Sequence, residues 1–132
     1  LDHVIYNHSP ISIITDHAPH LKKKDEAHMS GLPGIDYYGK VITSLIQQTG
    51  YQSFFYKIAR MCSLTPAKYL GLERGIEKGK PATFTILDLD SPNVGKDTVS
   101  KCGWTPYEGM NFPGTVKETF INGKPKMEKA TA

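Results

Sequence analysis

The sequence predicts an α/β fold, and three observations carry that expectation. A short, β-branched, almost continuously apolar run stands at Ile11-Ser12-Ile13-Ile14-Thr15. Apolar residues then recur at helical spacing between Tyr38 and Cys62. After Gly79 the period becomes that of strands and closes on a hairpin around Asn122-Gly123.

Ile11–Thr15 is preceded by Pro10 and ended by Asp16-His17-Ala18-Pro19. A continuous apolar run of this length reads as a strand buried on both faces, as in a parallel sheet. Such a strand needs neighbours on both sides, and no second run of this kind lies nearby, so its partners are expected from a missing segment. From Asp16 to Asp36 the chain is loop-like, with Pro19, Gly31, Pro33 and Gly34, and a long irregular stretch of this kind means either a functional loop or a wrong assignment of elements. Tyr38–Thr49 carries Val41, Ile42, Leu45 and Ile46 on one helical face, with Gly50 as a C-cap. Gln52–Cys62 carries Phe54, Phe55, Ile58, Ala59 and Cys62 on a similar stripe. Thr65-Pro66 reads as an N-cap followed by proline in the first turn of a short helix, ended by Gly71. Thr83–Leu89 is a strand candidate, and Asp90–Asn111 is mostly loop. Val116–Ile121 and Lys124–Met127 flank Asn122-Gly123, the strongest short-range hairpin signal.

Composition narrows the class. Hydrophobic residues make up 39% and charged residues 22% of the 132, as in an ordinary globular domain. No apolar run is long enough for a transmembrane helix, so no membrane is expected. The start, Leu1-Asp2-His3-Val4, has no signal-peptide pattern and no initiator methionine, which fits numbering that begins inside a longer protein or a start set by processing. A net charge of +3 is too small to argue for nucleic acid. The basic run Lys22-Lys23-Lys24 is diluted at once by Asp25 and Glu26 and reads as a solvated loop. Cys62 and Cys102 form no CxxC and suggest no disulfide scaffold, which points to a reducing, cytoplasmic setting. Cys62, inside an apolar helical stretch, is expected to be a buried small hydrophobe.

The chemistry-bearing residues cluster where the first run ends. Thr15-Asp16-His17-Ala18-Pro19-His20 follows a candidate parallel strand, and ligands of parallel α/β folds bind at the carboxyl ends of strands. Asp16 there suits a metal ligand or general base, and His20 could reach over the same pocket. The plainer alternative is a turn cap with hydrogen-bonded histidines. His17, His20 and His28 have the wrong spacing for a closed zinc site, and no HExxH is present. Gly31-Leu32-Pro33-Gly34 is a second candidate, because glycines allow close backbone approach to a ligand. A plain turn is its alternative.

These residues also resemble a family. Asp16-His17-Ala18-Pro19-His20 is similar to the signature at the end of the eighth barrel strand of dihydroorotases. The order continues with Lys24, Ser30-Gly31-Leu32-Pro33-Gly34, two helices, Thr65-Pro66-Ala67-Lys68 with Gly71-Leu72, and Gly75-Ile76-Glu77-Lys78-Gly79. Thr105-Pro106-Tyr107-Glu108-Gly109, Gly114-Thr115-Val116 and Asn122-Gly123-Lys124 complete it, so the resemblance spans essentially the whole chain. It implies the C-terminal part of a (β/α)8 amidohydrolase barrel plus part of a small β-sandwich: residues 1–72 as the end of the barrel with its active-site loop, and 73–132 as the small β domain segment. It implies one or two zinc ions, with Asp16 as metal ligand and general acid/base. It also implies His20 at the substrate carboxylate and Pro33 and Gly34 as backbone contacts to the dihydroorotate ring. The reaction implied is the interconversion of dihydroorotate and N-carbamoyl-L-aspartate in pyrimidine biosynthesis. Partners implied are the missing N-terminal barrel segment, a second copy in a homodimer and aspartate transcarbamoylase. No role for His17 follows.

The departures are specific. The resemblance implies further zinc ligands, an HxH after the first strand, a carboxylated lysine and two more histidines, yet no HxH and no strand-borne lysine suited to carboxylation occur, and a full barrel takes about 250 residues. Lys80-Pro81-Ala82-Thr83-Phe84 replaces a segment in which an acid is expected at position 83. Two other readings compete: an allantoinase or hydantoinase, against which the full DHAPH and His20 argue, and a non-catalytic homologue acting as a binding or scaffold subunit, which an upstream segment lacking HxH would favour.

Overall fold

A computed structural model of the chain describes residues 11–21, 30–49, 51–96 and 98–126. A 3-10 turn over Ile35–Tyr37 leads directly into helix α1, Tyr38–Thr49, whose bounds are those expected from its apolar stripe. Ile42 and Ile46, four positions apart on one face, are buried. Helix α2 covers Tyr51–Ala59 and places Phe54 and Ile58 against them. These four residues form the core cluster, with Ile13, Tyr38, Leu45, Cys62, Leu87 and Leu89 packed around it. The expected caps at Gly50 and the basic run 22–26 lie outside the described residues, as do His28 and Met127.

Helix α2 does not stop before position 65. A π-helical segment, Arg60–Leu64, carries it into α3, Thr65–Tyr69. Thr65 is therefore not the N-cap expected from the Thr-Pro pair. Its N–H already donates to the Arg60 carbonyl, so no side-chain cap is required there. The end of α3 follows expectation. Gly71 adopts φ +64°, its N–H donates to the Lys68 carbonyl, and the Leu72 N–H reaches Ala67 at 2.9 Å, the paired bonds of a Schellman motif.

Strands β1 (Phe84–Asp88), β4 (Thr115–Ile121) and β5 (Lys124–Pro125) form an antiparallel sheet in the order β1-β4-β5, and β2 (Asn93–Val94) pairs with β3 (Asn111–Phe112). Phe84 stands opposite Phe120, and their rings stack at 4.9 Å. The β4–β5 turn has Asn122 at φ +50° and Gly123 at φ +78°, the two positive angles that a two-residue hairpin requires. Thr83, where an acid was expected, has a structural use. Its hydroxyl accepts the Asn122 N–H at 3.0 Å and lies 3.3 Å from Asn122 Oδ1, so it fastens the hairpin tip to the start of β1.

Helix α1 lies on this sheet. A side chain at Gly39 would collide with Val116 of β4, and the buried Thr43 hydroxyl reaches the Gly114 carbonyl at 3.2 Å. Between the helices and the face of β1 and β4 runs an apolar cleft of about 770 Å³, bounded by Ile42, Ile58, Cys62, Leu87 and Phe120 among others.

Ile11–Thr15 departs from expectation. It joins no sheet among the described residues, and Ile14 is 75% exposed. A strand is made by its neighbours' hydrogen bonds, and here Ile13 spends both of its backbone groups elsewhere. Its N–H donates to the Met61 carbonyl at 3.0 Å, and its carbonyl accepts the Tyr38 hydroxyl at 2.8 Å. Parallel pairing starts only at His17, as a single bridge to Leu32. The described residues are helices on a small antiparallel sheet, which fits the α/β class; the end of a barrel and the part of a sandwich implied by the resemblance are not formed as such among them.

Candidate active site loops

The His17–Leu32 bridge brings the two candidate segments side by side. The Ala18 N–H donates to the Leu32 carbonyl at 3.1 Å. Gly31, at φ +85°, passes so close that an added Cβ would sit 2.6 Å from the Ala18 methyl, which only glycine permits. Asp16 and His20 are thereby placed on one loop, against Pro33 and Gly34 on the next. Asp16 is exposed and adopts φ +46°, a conformation that aspartate tolerates better than most residues. Pro33 and Gly34 are buried.

The histidines divide their work. His17, for which the resemblance offered no role, accepts the Ile35 N–H on Nδ1 at 3.3 Å. It thus ties the Leu32–Gly34 segment to the loop that carries Asp16. His20 is exposed, with Nε2 2.8 Å from the Ser30 carbonyl. A carbonyl only accepts, so Nε2 carries the proton in this bond and Nδ1 remains for another partner. The His20 N–H donates to the Ala18 carbonyl at 2.9 Å.

A third segment braces both loops, and sequence reasoning assigned it no site. Trp104 Nε1 donates to the His20 carbonyl at 2.7 Å. Asp36 Oδ2 accepts the Thr98 hydroxyl and, at 3.0 Å, the Ser100 N–H. The Lys96 N–H donates to the Tyr37 hydroxyl at 3.0 Å. Tyr37, Tyr107 and Phe112 pack as an aromatic trio, Tyr37 and Tyr107 stacking at 5.2 Å. An added Cβ at Gly34 would stand 3.7 Å from the Tyr107 hydroxyl. The signal was the chain's single tryptophan beside Thr105-Pro106-Tyr107, a buried-prone ring with one donor to satisfy.

Nothing comparable builds a metal centre. Among the described residues no three His, Cys, Asp or Glu side chains converge, and a catalytic zinc takes about three protein donors. Asp36, the next acid after Asp16 in the described chain, is already engaged by Thr98 and Ser100. The described residues do not make a metal site by themselves. Away from the loops, burial pushes the Tyr38 phenol well above its ordinary range, and its contact with Cys62 adds to this. Burial likewise raises the Cys62 thiol, which is half-buried rather than fully enclosed as expected, whereas Cys102 is buried. No helix among the described residues is long and apolar enough to cross a membrane.

The dihydroorotase of Pyrococcus furiosus is 37% identical over 120 residues, covering 89% of this chain and 28% of its own length. That of Archaeoglobus fulgidus is 34% identical over 122 residues, covering 88% and 29%. That of a Thermoanaerobacter species is 36% identical over 124 residues, covering 89% and 28%. The chain thus spans under a third of the length of the curated relatives it matches. The family profile described as "Amidohydrolase family" matches residues 6–126, and with that match over nearly its whole length the chain belongs to the amidohydrolase family.

Proposed function

We propose that residues 1–132 are the C-terminal part of a zinc-dependent dihydroorotase that interconverts dihydroorotate and N-carbamoyl-L-aspartate. The observation that carries this reading is the His17–Leu32 bridge, which sets the Asp16–His20 loop against Pro33-Gly34. In the proposed division, residues 1–72 complete a (β/α)8 barrel and 73–132 belong to a small β domain. Three features support further chain covering this piece: the exposed Ile14, the buried Ser12 hydroxyl with no partner among the described residues, and the apolar cleft beside β1.

In the proposed reaction, water adds to the ring amide carbon and the carbon–nitrogen bond breaks. The carbon becomes a carboxylate and the nitrogen the terminal NH2 of the carbamoyl group. Asp16 takes the proton from the water and returns it to the departing nitrogen. His20 holds the substrate carboxylate, and the backbone at Pro33 and Gly34 lies along the ring. One or two zinc ions would have Asp16 among their donors, the others lying outside residues 1–132. The proposed setting is cytoplasmic, with a second copy and aspartate transcarbamoylase as partners.

The test is turnover. The full-length polypeptide should convert N-carbamoyl-L-aspartate and dihydroorotate in both directions, and the 132-residue piece should not. Turnover by the isolated piece above a metal-only blank would overturn the division. A full-length protein that prefers allantoin or hydantoin, or that turns over none of these, would overturn the substrate.

A further inference from the structure

We propose that Trp104 is a positioning residue for substrate recognition, acting through His20; this rests on the dihydroorotase reading above. His20 is exposed, on a loop, and a side chain in that setting has little packing to orient it. Three hydrogen bonds do the orienting instead. Its N–H goes to Ala18, its ring Nε2 to the Ser30 carbonyl, and its carbonyl takes the Trp104 indole N–H at 2.7 Å. The first two come from neighbouring parts of the same two loops. The third comes from 84 positions away and is the one that ties His20 to a separate, braced element.

That element is rigidly built. The Cys102 thiol is buried and lies 3.2 Å from the Ser100 hydroxyl and 3.4 Å from the Trp104 carbonyl. Thr105 is buried, and its hydroxyl accepts the Tyr107 N–H at 3.3 Å. Asp36 anchors Thr98 and Ser100 at the other end. Trp104 is therefore presented from a fixed base, and its single N–H is aimed at the main chain of the one residue whose ring is assigned to the substrate carboxylate. Phenylalanine at 104 would keep an aromatic ring and lose the donor.

The experiment is a double-mutant cycle in the full-length enzyme. Trp104→Phe should raise KM for dihydroorotate by about five-fold, the scale of one lost hydrogen bond, with kcat within about two-fold and metal content unchanged. In a His20→Ala background, where the backbone carbonyl and its bond to Trp104 persist, Trp104→Phe should have no further effect on KM. If the two substitutions multiply, Trp104 supports the fold generally and the proposal fails. It also fails if Trp104→Phe leaves KM unchanged. If the enzyme does not turn over dihydroorotate at all, the functional reading fails separately. The positioning is then judged by the ring ¹⁵N resonances of His20: a shift in Trp104→Phe supports it, and unmoved resonances overturn it.

Discussion

The helix–sheet layer and the loop cluster around His20 are built by opposite means. In the first, Ile42, Ile46, Phe54 and Ile58 are buried by apolar contact, and most hydrogen bonds run within helices or between paired strands, with Thr43 to Gly114 as an exception. In the second, exposed His20 and the nearby Asp36 are held by bonds that cross long sequence distances, from Trp104 to His20 and from Ser100 to Asp36. Apolar burial is non-directional and tolerates small shifts, whereas a hydrogen bond weakens steeply once its geometry is lost. Damage to the first region should therefore be read in stability, and damage to the second in kinetics.

The largest effect tests whether the regions separate. Ile46→Ala removes a buried side chain from the core cluster and should cost about 2–5 kcal/mol in thermal or denaturant unfolding of the full-length protein. Its turnover per folded molecule should stay near normal. A matching collapse in kcat would break the comparison. Asp16→Ala, at an exposed position, should do the reverse. Here kcat should fall by about 100-fold or more, with bound metal reduced and the melting temperature little changed. Near-normal turnover would sink the proposed role of Asp16.

His20→Ala sharpens the same contrast. Loss of a charge-assisted contact should lower kcat/KM by about 1.5–3 kcal/mol, with metal content intact. Emptying of the metal site in that variant would exchange the roles of the two residues. The smallest effect belongs to the core side. Burial raises the Tyr38 phenol and the Cys62 thiol, so the folded state keeps protons that the unfolded chain gives up. The stability this contributes is complete below about pH 8.5, where an unfolded thiol begins to ionise, and is lost as pH rises toward the folded values. Melting temperature should decline through that alkaline window, and the decline should be shallower in Cys62→Ala. Identical pH profiles for the two proteins would remove Cys62 from the account.

The same division explains what could be read from the sequence. The bounds of α1 and the Asn122-Gly123 hairpin were legible because apolar period and positive φ are local properties. Asp16, His20, Pro33 and Gly34 were legible as a motif, and their adjacency became visible only through the His17–Leu32 bridge. The strand expected at Ile11–Thr15 does not pair among the described residues, because its pattern describes a burial by neighbours that these residues alone do not supply. Asp36 carries no local signal, and the lone Trp104 signals a ring with a donor to satisfy but not the partner it satisfies. Each matters through a partner more than sixty positions away.

Helix α3 is also more than the continuation of a helix. At Arg60 the carbonyl takes its donor from five residues ahead, the N–H of Thr65. By the same spacing the next carbonyl, on Met61, would look to position 66. A proline stands there, with no hydrogen to give. Met61 instead receives the N–H of Ile13 at 3.0 Å, and Ile13 lies three residues before Asp16. The proline that reads as a helix-start signal thus also leaves one backbone acceptor open as a socket for the segment that carries the candidate catalytic acid. A residue with a free N–H at 66 would compete for that socket, and the segment leading into Asp16 would lose one of its moorings.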